Sequence, residues 1–445
     1  MDDMNNKTHA TGRDGPGIRE HPQRLAIASE LHARPFESLT PPLRATHLAM
    51  LGADAQEDRR HVETLCDAFE QVRPPESATH HSVNLGAFHL RWERHTEFST
   101  YTFFCSSPYM GRDEHFTNRA LDRVPPAWRE AIPGELVAAV HLILEGPADP
   151  ERSVHEILEL FGTENVAGSM VADGGAHLFT DFRLHGDGFG HILIQAGGLP
   201  ARRTGRLVQR VLEIETYRLM ALLAFPIARR TTAQLTELDD QLRSVTDRMS
   251  HRESLESEQA LLTELSGLAG ELERITAQNT FRLSAAHAYR ELVENRIDNL
   301  REERIKDLQT ISEFMERRFT PAMRTCESVA LRQHALSERL SRAAELLRTR
   351  VDVALEAQNR DLLASMNQRT DLQLRLQQTV EGLSVVVLSY YTTGLLHYAL
   401  RGVEAAGVAL NVNLIVGASV PFIVVGMWTV SRLMRRRLLG KRSSH

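Results

Sequence analysis

Gly382 to Leu400 reads GLSVVVLSYYTTGLLHYAL, and Leu410 to Val430 reads LNVNLIVGASVPFIVVGMWTV. Neither run holds an Asp, Glu, Lys or Arg. Each is close to the ~20 residues that a helix rising ~1.5 Å per residue needs to cross ~30 Å of hydrocarbon. The two runs predict a C-terminal transmembrane hairpin over residues 382–431, spans 382–400 and 410–430, with the lipid bilayer as its partner. Arg432, Arg435, Arg436, Arg437, Lys441 and Arg442 follow the second run with no acid among them, and Arg360, Arg369 and Arg375 precede the first. The intervening loop 401–409 carries one Arg and one Glu. The positive-inside rule then places both chain ends, including the basic tail 432–445, in the cytoplasm and the loop outside. The N-terminal stretch MDDMNNKTHATGRDGPGIRE lacks an apolar segment, so residues 1–20 read as a disordered tail and insertion as directed by the hairpin itself.

The rest of the composition is that of a folded chain. Its 445 residues, 42% hydrophobic and 25% charged, leave room for two or three structural units. A net charge of -6 excludes bulk attraction for nucleic acid, and no nucleic-acid partner is expected. Of 52 basic side chains only Lys7, Lys306 and Lys441 are lysine. That bias suits carboxylate or phosphate forks, or reflects a GC-rich genome alone. Cys66, Cys105 and Cys326 are far apart, odd in number and free of any C-x-x-C, which fits a reducing cytosol.

The fold class is α+β. Residues 21–205 predict a mixed α/β domain with strands Leu43–Leu51, Val83–Arg94, Phe98–Cys105, Leu136–Leu144, Ala167–Ala172, His177–Leu184 and His191–Gln195. Its helices are expected over Pro22–His32, Ala55–Val72, Pro126–Ala131 and Pro150–Phe161, the last capped by Asp149. Residues 206–319 predict long antiparallel or coiled-coil helices. Leu235, Leu238, Leu242, Val245 and Met249 step by three and four, as do Leu261, Leu265, Leu268, Leu272 and Ile275. A further helical stretch is expected from Thr280 to about Arg318. Thr320-Pro321 reads as N-cap and first helical residue of a stalk over 320–381. One helix continuing from there to about Leu400 would be roughly 120 Å long; two or three shorter helices with kinks are the alternative.

HPQRLAIASELHARPFESLTPPLRATHLAM (His21 to Met50), RWERHTEFSTYTFF (Arg91 to Phe104) and VEGLSVVVLSYYTTGLL (Val380 to Leu396) resemble a bacterial family of membrane-anchored proteins of unknown function. The resemblance covers nearly the whole chain and implies a bacterial inner membrane, but no activity and no functional residues. The order of parts is also similar to the CorA-type magnesium channels: an α/β domain, antiparallel helices, a long stalk entering the first span, a short outer loop, a second span and a basic tail. That similarity implies a homo-oligomer, pentameric in that family, with the first span lining a pore and a divalent cation as its cargo. The chain departs from the family at the outer mouth. RGVEAAGVALNVN has no Gly-Met-Asn, and Gly426-Met427-Trp428 lies inside the second span, so magnesium selectivity is not implied.

Candidate sites follow from polar groups in costly places. Ser389, Thr393 and His397 recur every four residues on one face of the first span. They serve either interhelical hydrogen bonds or, in several copies, a pore lining. Asn411 and Asn413 flank the second span and offer either carbonyl oxygens to a cation or a helix cap. Arg34, Arg91, Glu93, Arg94, His95 and Glu97 form a charge-dense set: a cytosolic ligand site or an ion-pair network. No cofactor is expected, and no metal-ligand set is identified: His80-His81, His89 and His95 lack H-E-x-x-H spacing, and His141 reads as a core residue of its strand. His185 to Gly190, HGDGFG, reads as a hairpin turn, because a strand follows where a phosphate loop needs a helix. No nucleophile motif is present, so the chain is expected to be no enzyme. Two functions stand: an oligomeric CorA-like assembly with cation transport, and a membrane-anchored scaffold or ligand sensor.

Overall fold

The computed structural model describes residues 21, 23–24, 36–106, 116–149, 151–251, 254–405 and 411–439. The expected tail 1–20 lies outside them, as do Arg34 and the helix expected over Pro22–His32, apart from Gln23 and Arg24. The chain divides into two compact units, Met1–Thr246 with Leu265–Arg342, and Asp247–Glu264 with Ala343–His445.

The first unit is built on a nine-stranded sheet: β1 (Leu43–Leu51), β2 (His80–Asn84), β3 (His89–Arg94), β4 (Phe98–Ser106), β5 (Glu135–Glu145), β6 (Ala167–Val171), β7 (Ala176–Thr180), β8 (Gly190–Ala196) and β9 (Glu303–Arg304). The spatial order is β2-β3-β4-β1-β5-β8-β7-β6-β9, and only the β5–β8 pair is parallel. Helices cover both faces, which is why β1 and β4 are buried almost throughout, polar residues such as Thr46, His47, Ser99 and Thr102 included. On one face α1 (Ala55–Ala68) sets Val62, Leu65 and Cys66 against Leu48, Leu90, Trp92, Tyr101 and Phe103. The short α2 (Pro126–Glu130) adds Trp128 to that cluster. Further along the sheet α3 (Val154–Phe161) packs Ile157 and Phe161 on Ile143, Phe179 and Leu193. Each such side chain contributes about 1.5–3 kcal/mol of burial. The other face meets α4 (Ala201–Leu222), whose Val208, Val211, Leu212 and Ile214 are buried.

Several expected boundaries move for identifiable reasons. Val83–Arg94 is not one strand. Gly86 adopts φ +81°, a conformation glycine tolerates, and Asn84 Oδ1 accepts its N–H, so the chain turns between β2 and β3. The strand expected over His177–Leu184 stops at Thr180, before Phe182 takes φ +53°. Helix α3 is capped by Ser153, whose hydroxyl and backbone form a capping box with Glu156. Asp149 instead accepts from the Gly146 N–H in the preceding turn.

Beyond α4 run α5 (Ala224–Met249), α6 (Leu255–Asp298) and α7 (Ile311–Ala405). The heptad-spaced seams are buried: Leu235, Leu238, Leu242 and Val245 on α5, Leu265, Leu268, Leu272 and Ile275 on α6, with Val329, Leu336 and Leu340 on α7. Polar ties accompany them, Asn279 Nδ2 donating to Thr231 Oγ1 at 2.8 Å and Arg332 to Thr236 Oγ1 at 3.1 Å. Two expectations fail here. The helix expected from Thr280 to Arg318 is broken by β9, which pairs with β6 and fixes the chain at the sheet edge. And Thr320-Pro321 is no boundary, because α7 runs through Pro321. The start is at Thr310, whose hydroxyl accepts from Glu313 N while Glu313 accepts from Thr310 N, both at 3.1 Å. This capping box satisfies two backbone N–H groups about three turns before Pro321 is reached.

The second unit contains the C-terminal part of α7 and α8 (Val412–Leu439). Two helices of the described chain, Ile311–Ala405 and Val412–Leu433, are long and apolar enough to cross a membrane. Many large apolar side chains of their uncharged stretches are bare: Leu383 is 65% exposed, Tyr398 77% and Phe422 79%. Left in water, each large side chain forgoes about 1.5–3 kcal/mol of burial.

Candidate functional site

Strand register assembles a polar patch on the sheet face under α4. His47 of β1 lies opposite Thr102 of β4, which lies opposite Arg91 of β3, and Glu93 lies opposite Thr100 in the next row. Side chains two apart on a strand share a face, so Arg91 and Glu93 point the same way. Helix α4 passes over this patch with Gly205, Val208, Gln209, Leu212 and Thr216 at helical spacing, leaving a cavity of about 240 Å³. Phe98, Phe104 and Tyr217 wall it, and Arg296 of α6 and the segment carrying Glu37 and Leu39 complete the lining.

The polar groups of the cavity are organised in pairs. Arg91 donates to Glu93 at 2.8 Å and to Gln209 Oε1 at 3.3 Å, and both charged side chains are largely buried. Arg296 pairs with Glu213, which also accepts from Gln209 at 2.8 Å. His47 shares hydrogen bonds with Thr102 at 2.8 Å and Thr216 at 2.9 Å. Burial, with the nearby positive charge of His95 and Arg91, pushes its imidazole down to about 3, so at neutral pH it is an uncharged relay between two hydroxyls. Glu37 accepts from Ser82 at 2.6 Å and sits 3.6 Å from His89, whose hydrogen bond holds the carboxyl below its ordinary range.

The charge-dense set read from the sequence is divided by the fold. Arg91, Glu93 and His95 line the cavity, His95 stacking on Phe98 at 4.3 Å. Arg94 points to the opposite face. There it donates to Asp58 at 3.1 Å, a fully buried carboxylate of α1 that also accepts from Tyr101 at 2.7 Å and from Ser99. Glu97 binds α6 through Arg282 at 2.7 Å and Tyr289 at 2.5 Å.

In the second unit Ser389 is 5% exposed, and its hydroxyl has no hydrogen-bond partner among the described residues. Thr393 Oγ1 donates back to the Ser389 carbonyl at 2.8 Å, and His397 meets the Tyr398 ring edge-on. Thr393 and His397 are half-buried, and the half-buried positions of α8 (Val416, Ser419, Ile423 and Gly426) keep the same three-and-four spacing. The stripe thus lies on the covered face of its helix. The Asn411 carbonyl accepts from Leu414 and Ile415 at 3.2 Å, closing the first turn of α8, and Asn413 is exposed within that turn.

Two features escaped the sequence. One is the hydroxyl-imidazole row His47, Thr100, Thr102, whose signal is polar side chains at alternate positions of otherwise apolar strands. The other joins His141 to the turn 185–190. His191 lies 3.2 Å from Asp187, His141 3.9 Å from it, and Arg119 3.0 Å, while His185 stacks on His191 at 3.8 Å. His141 Nδ1 bonds Thr46 at 2.9 Å, and burial, then Arg119, pushes this ring also to about 3. His141 is therefore a core residue, and the turn supplies the groups facing it. Among the described residues no group of three or more His, Cys, Asp or Glu is disposed to hold a metal ion.

No curated protein and no solved structure matches the chain. The family described as "Protein of unknown function (DUF3422)" matches residues 19–438, and with nearly the whole sequence covered the chain belongs to that family.

Proposed function

We propose that this protein is a membrane-anchored, non-enzymatic ligand sensor: the cavity between the sheet and α4 binds a small polar molecule, and the C-terminal helices hold the protein at a bacterial inner membrane. The single observation that carries this reading is the cavity of about 240 Å³ lined by two Arg–Glu pairs and a hydroxyl row. A buried ion pair such as Arg91–Glu93 is a poor source of stability, so its placement beside a cavity favours recognition. Both chain ends face the cytoplasm in this reading, and the loop between the spans faces outside. The test is thermal stabilisation of the full-length protein in detergent by a panel of small polar metabolites, wild type against Arg91→Gln. At least one compound should raise the wild-type Tm and fail to raise that of the variant; a panel without effect on wild type refutes the sensor.

One observation favours a second reading, an oligomeric CorA-like assembly joined through coiled-coil helices and passing a divalent cation. The buried Ser389 hydroxyl has no partner among the described residues, and with Thr393 and His397 it supplies a neutral polar stripe for a shared pathway. Reconstituted vesicles whose flux equals that of empty vesicles for every divalent cation tried would remove this reading. Replacing the hairpin by an unrelated two-helix anchor separates the two, since a sensor keeps its ligand response.

A further inference from the structure

We infer that the cavity under α4 is a receptor for a free α-amino acid with an apolar side chain. This rests on the cavity being the ligand site. The first ground is that both signs of charge line the cavity. Arg91 and Arg296 stand beside Glu93 and Glu213, and Glu37, held by Ser82 and His89, is a third carboxylate. A monoanion entering here meets three carboxylates, and a monocation meets two guanidiniums. A dipolar ligand, carrying carboxylate and ammonium on one carbon, is matched at both ends. The second ground is unspent hydrogen-bonding capacity beside one of these pairs. Arg91 is 6% exposed and uses one N–H on Glu93 and one on Gln209. A guanidinium has about five N–H donors, so others remain for a ligand carboxylate. Thr100 also lines the cavity, opposite Glu93 in the strand register, and its hydroxyl can donate to a ligand.

The third ground is the shape of the remaining wall. Leu39, Val208, Leu212 and Phe104 close the cavity on its apolar side. The volume, about 240 Å³, is below the range usual for drug-sized ligands and suits a single amino acid with an aliphatic chain. Leucine is the probe that fits all three conditions.

The experiment is isothermal titration of the full-length protein in detergent with L-leucine, with 4-methylpentanoate, which lacks the amine, and with isoamylamine, which lacks the carboxylate. Leucine is expected to bind, and each analogue at least about tenfold more weakly, because each lacks one of the two charged groups that the guanidiniums and carboxylates of the lining would meet. Arg91→Gln should abolish leucine binding. Thr100→Val keeps every charge and nearly the same shape, and should weaken leucine about five- to tenfold, which covers the case in which Arg91→Gln fails to fold. If an analogue binds as tightly as leucine and loses affinity in Thr100→Val, the cavity is a ligand site but not an amino-acid receptor. If none of the three binds while another metabolite stabilises the wild type, the inference falls and the sensor stands. If nothing binds at all, both fall.

Discussion

Lowering the pH from about 7 to about 5 should destabilise the sheet unit through His47 and His141. Both rings are buried in hydrogen-bonded positions and remain neutral down to about 3, against an ordinary value of 6.5. Between those two values the unfolded chain binds a proton at each ring that the folded chain refuses. Stability therefore rises with pH across this window and is lost as pH falls through it. At about pH 5 the unfolded rings lie roughly 1.5 units below their pKa, which at about 1.36 kcal/mol per unit is about 2 kcal/mol each and about 4 kcal/mol for the pair. That is a large fraction of the roughly 5–15 kcal/mol by which domains are stable. Burial also lowers His61, His81 and His191, which act in the same direction. The carboxyls held below their ordinary range, such as Glu37, contribute above their unfolded values and are lost only at lower pH, outside the interval from about pH 7 to about pH 5. The assay is the urea midpoint of the full-length protein, followed by the emission of Trp92 and Trp128, both in the core of this unit. The double variant His47→Gln/His141→Gln should flatten the dependence. A wild-type midpoint that does not fall between about pH 7 and about pH 5, or a double variant that falls as steeply as wild type, would refute the reasoning.

Three substitutions test packing at the site and elsewhere in the molecule. Gly205→Ala drives a Cβ into the Glu37 carbonyl oxygen, a backbone atom that cannot yield alone. It should cost up to about 3 kcal/mol in urea unfolding and displace the segment that closes the cavity. Asp58→Ala strips Arg94, Ser99 and Tyr101 of their buried acceptor, and a loss of about 3–5 kcal/mol is expected by the same measurement. Ser389→Ala should change helix association in detergent by about 1 kcal/mol or less if the stripe only packs.

The capping boxes Ser153–Glu156 and Thr310–Glu313 are legible in the sequence, and they, not Pro150 or Pro321, set the helix starts. Proline at the first helical position is favoured but does not by itself begin a helix, whereas a reciprocal pair satisfies two backbone donors. The candidate site was legible in part. Strand alternation put Arg91, Glu93 and His95 on one face, and the same alternation sent Arg94 to Asp58 on the other. Sequence proximity had grouped all of them, because a charge cluster in a linear string does not record which side of the sheet each member faces.

What the sequence determined by itself was local and periodic: the apolar lengths of the two C-terminal helices, the heptad seams of α5 and α6, and most strand positions. These follow from backbone geometry and hydrophobic spacing, which act over a few turns. The tertiary structure alone decided that Glu303–Arg304 breaks a helical stretch to extend the sheet beside β6, more than a hundred residues earlier in the chain. It also decided that His47, Thr102 and Arg91 form one row beneath α4, with Arg296 brought in from α6. Such contacts depend on strand register and helix docking, and no local propensity encodes either.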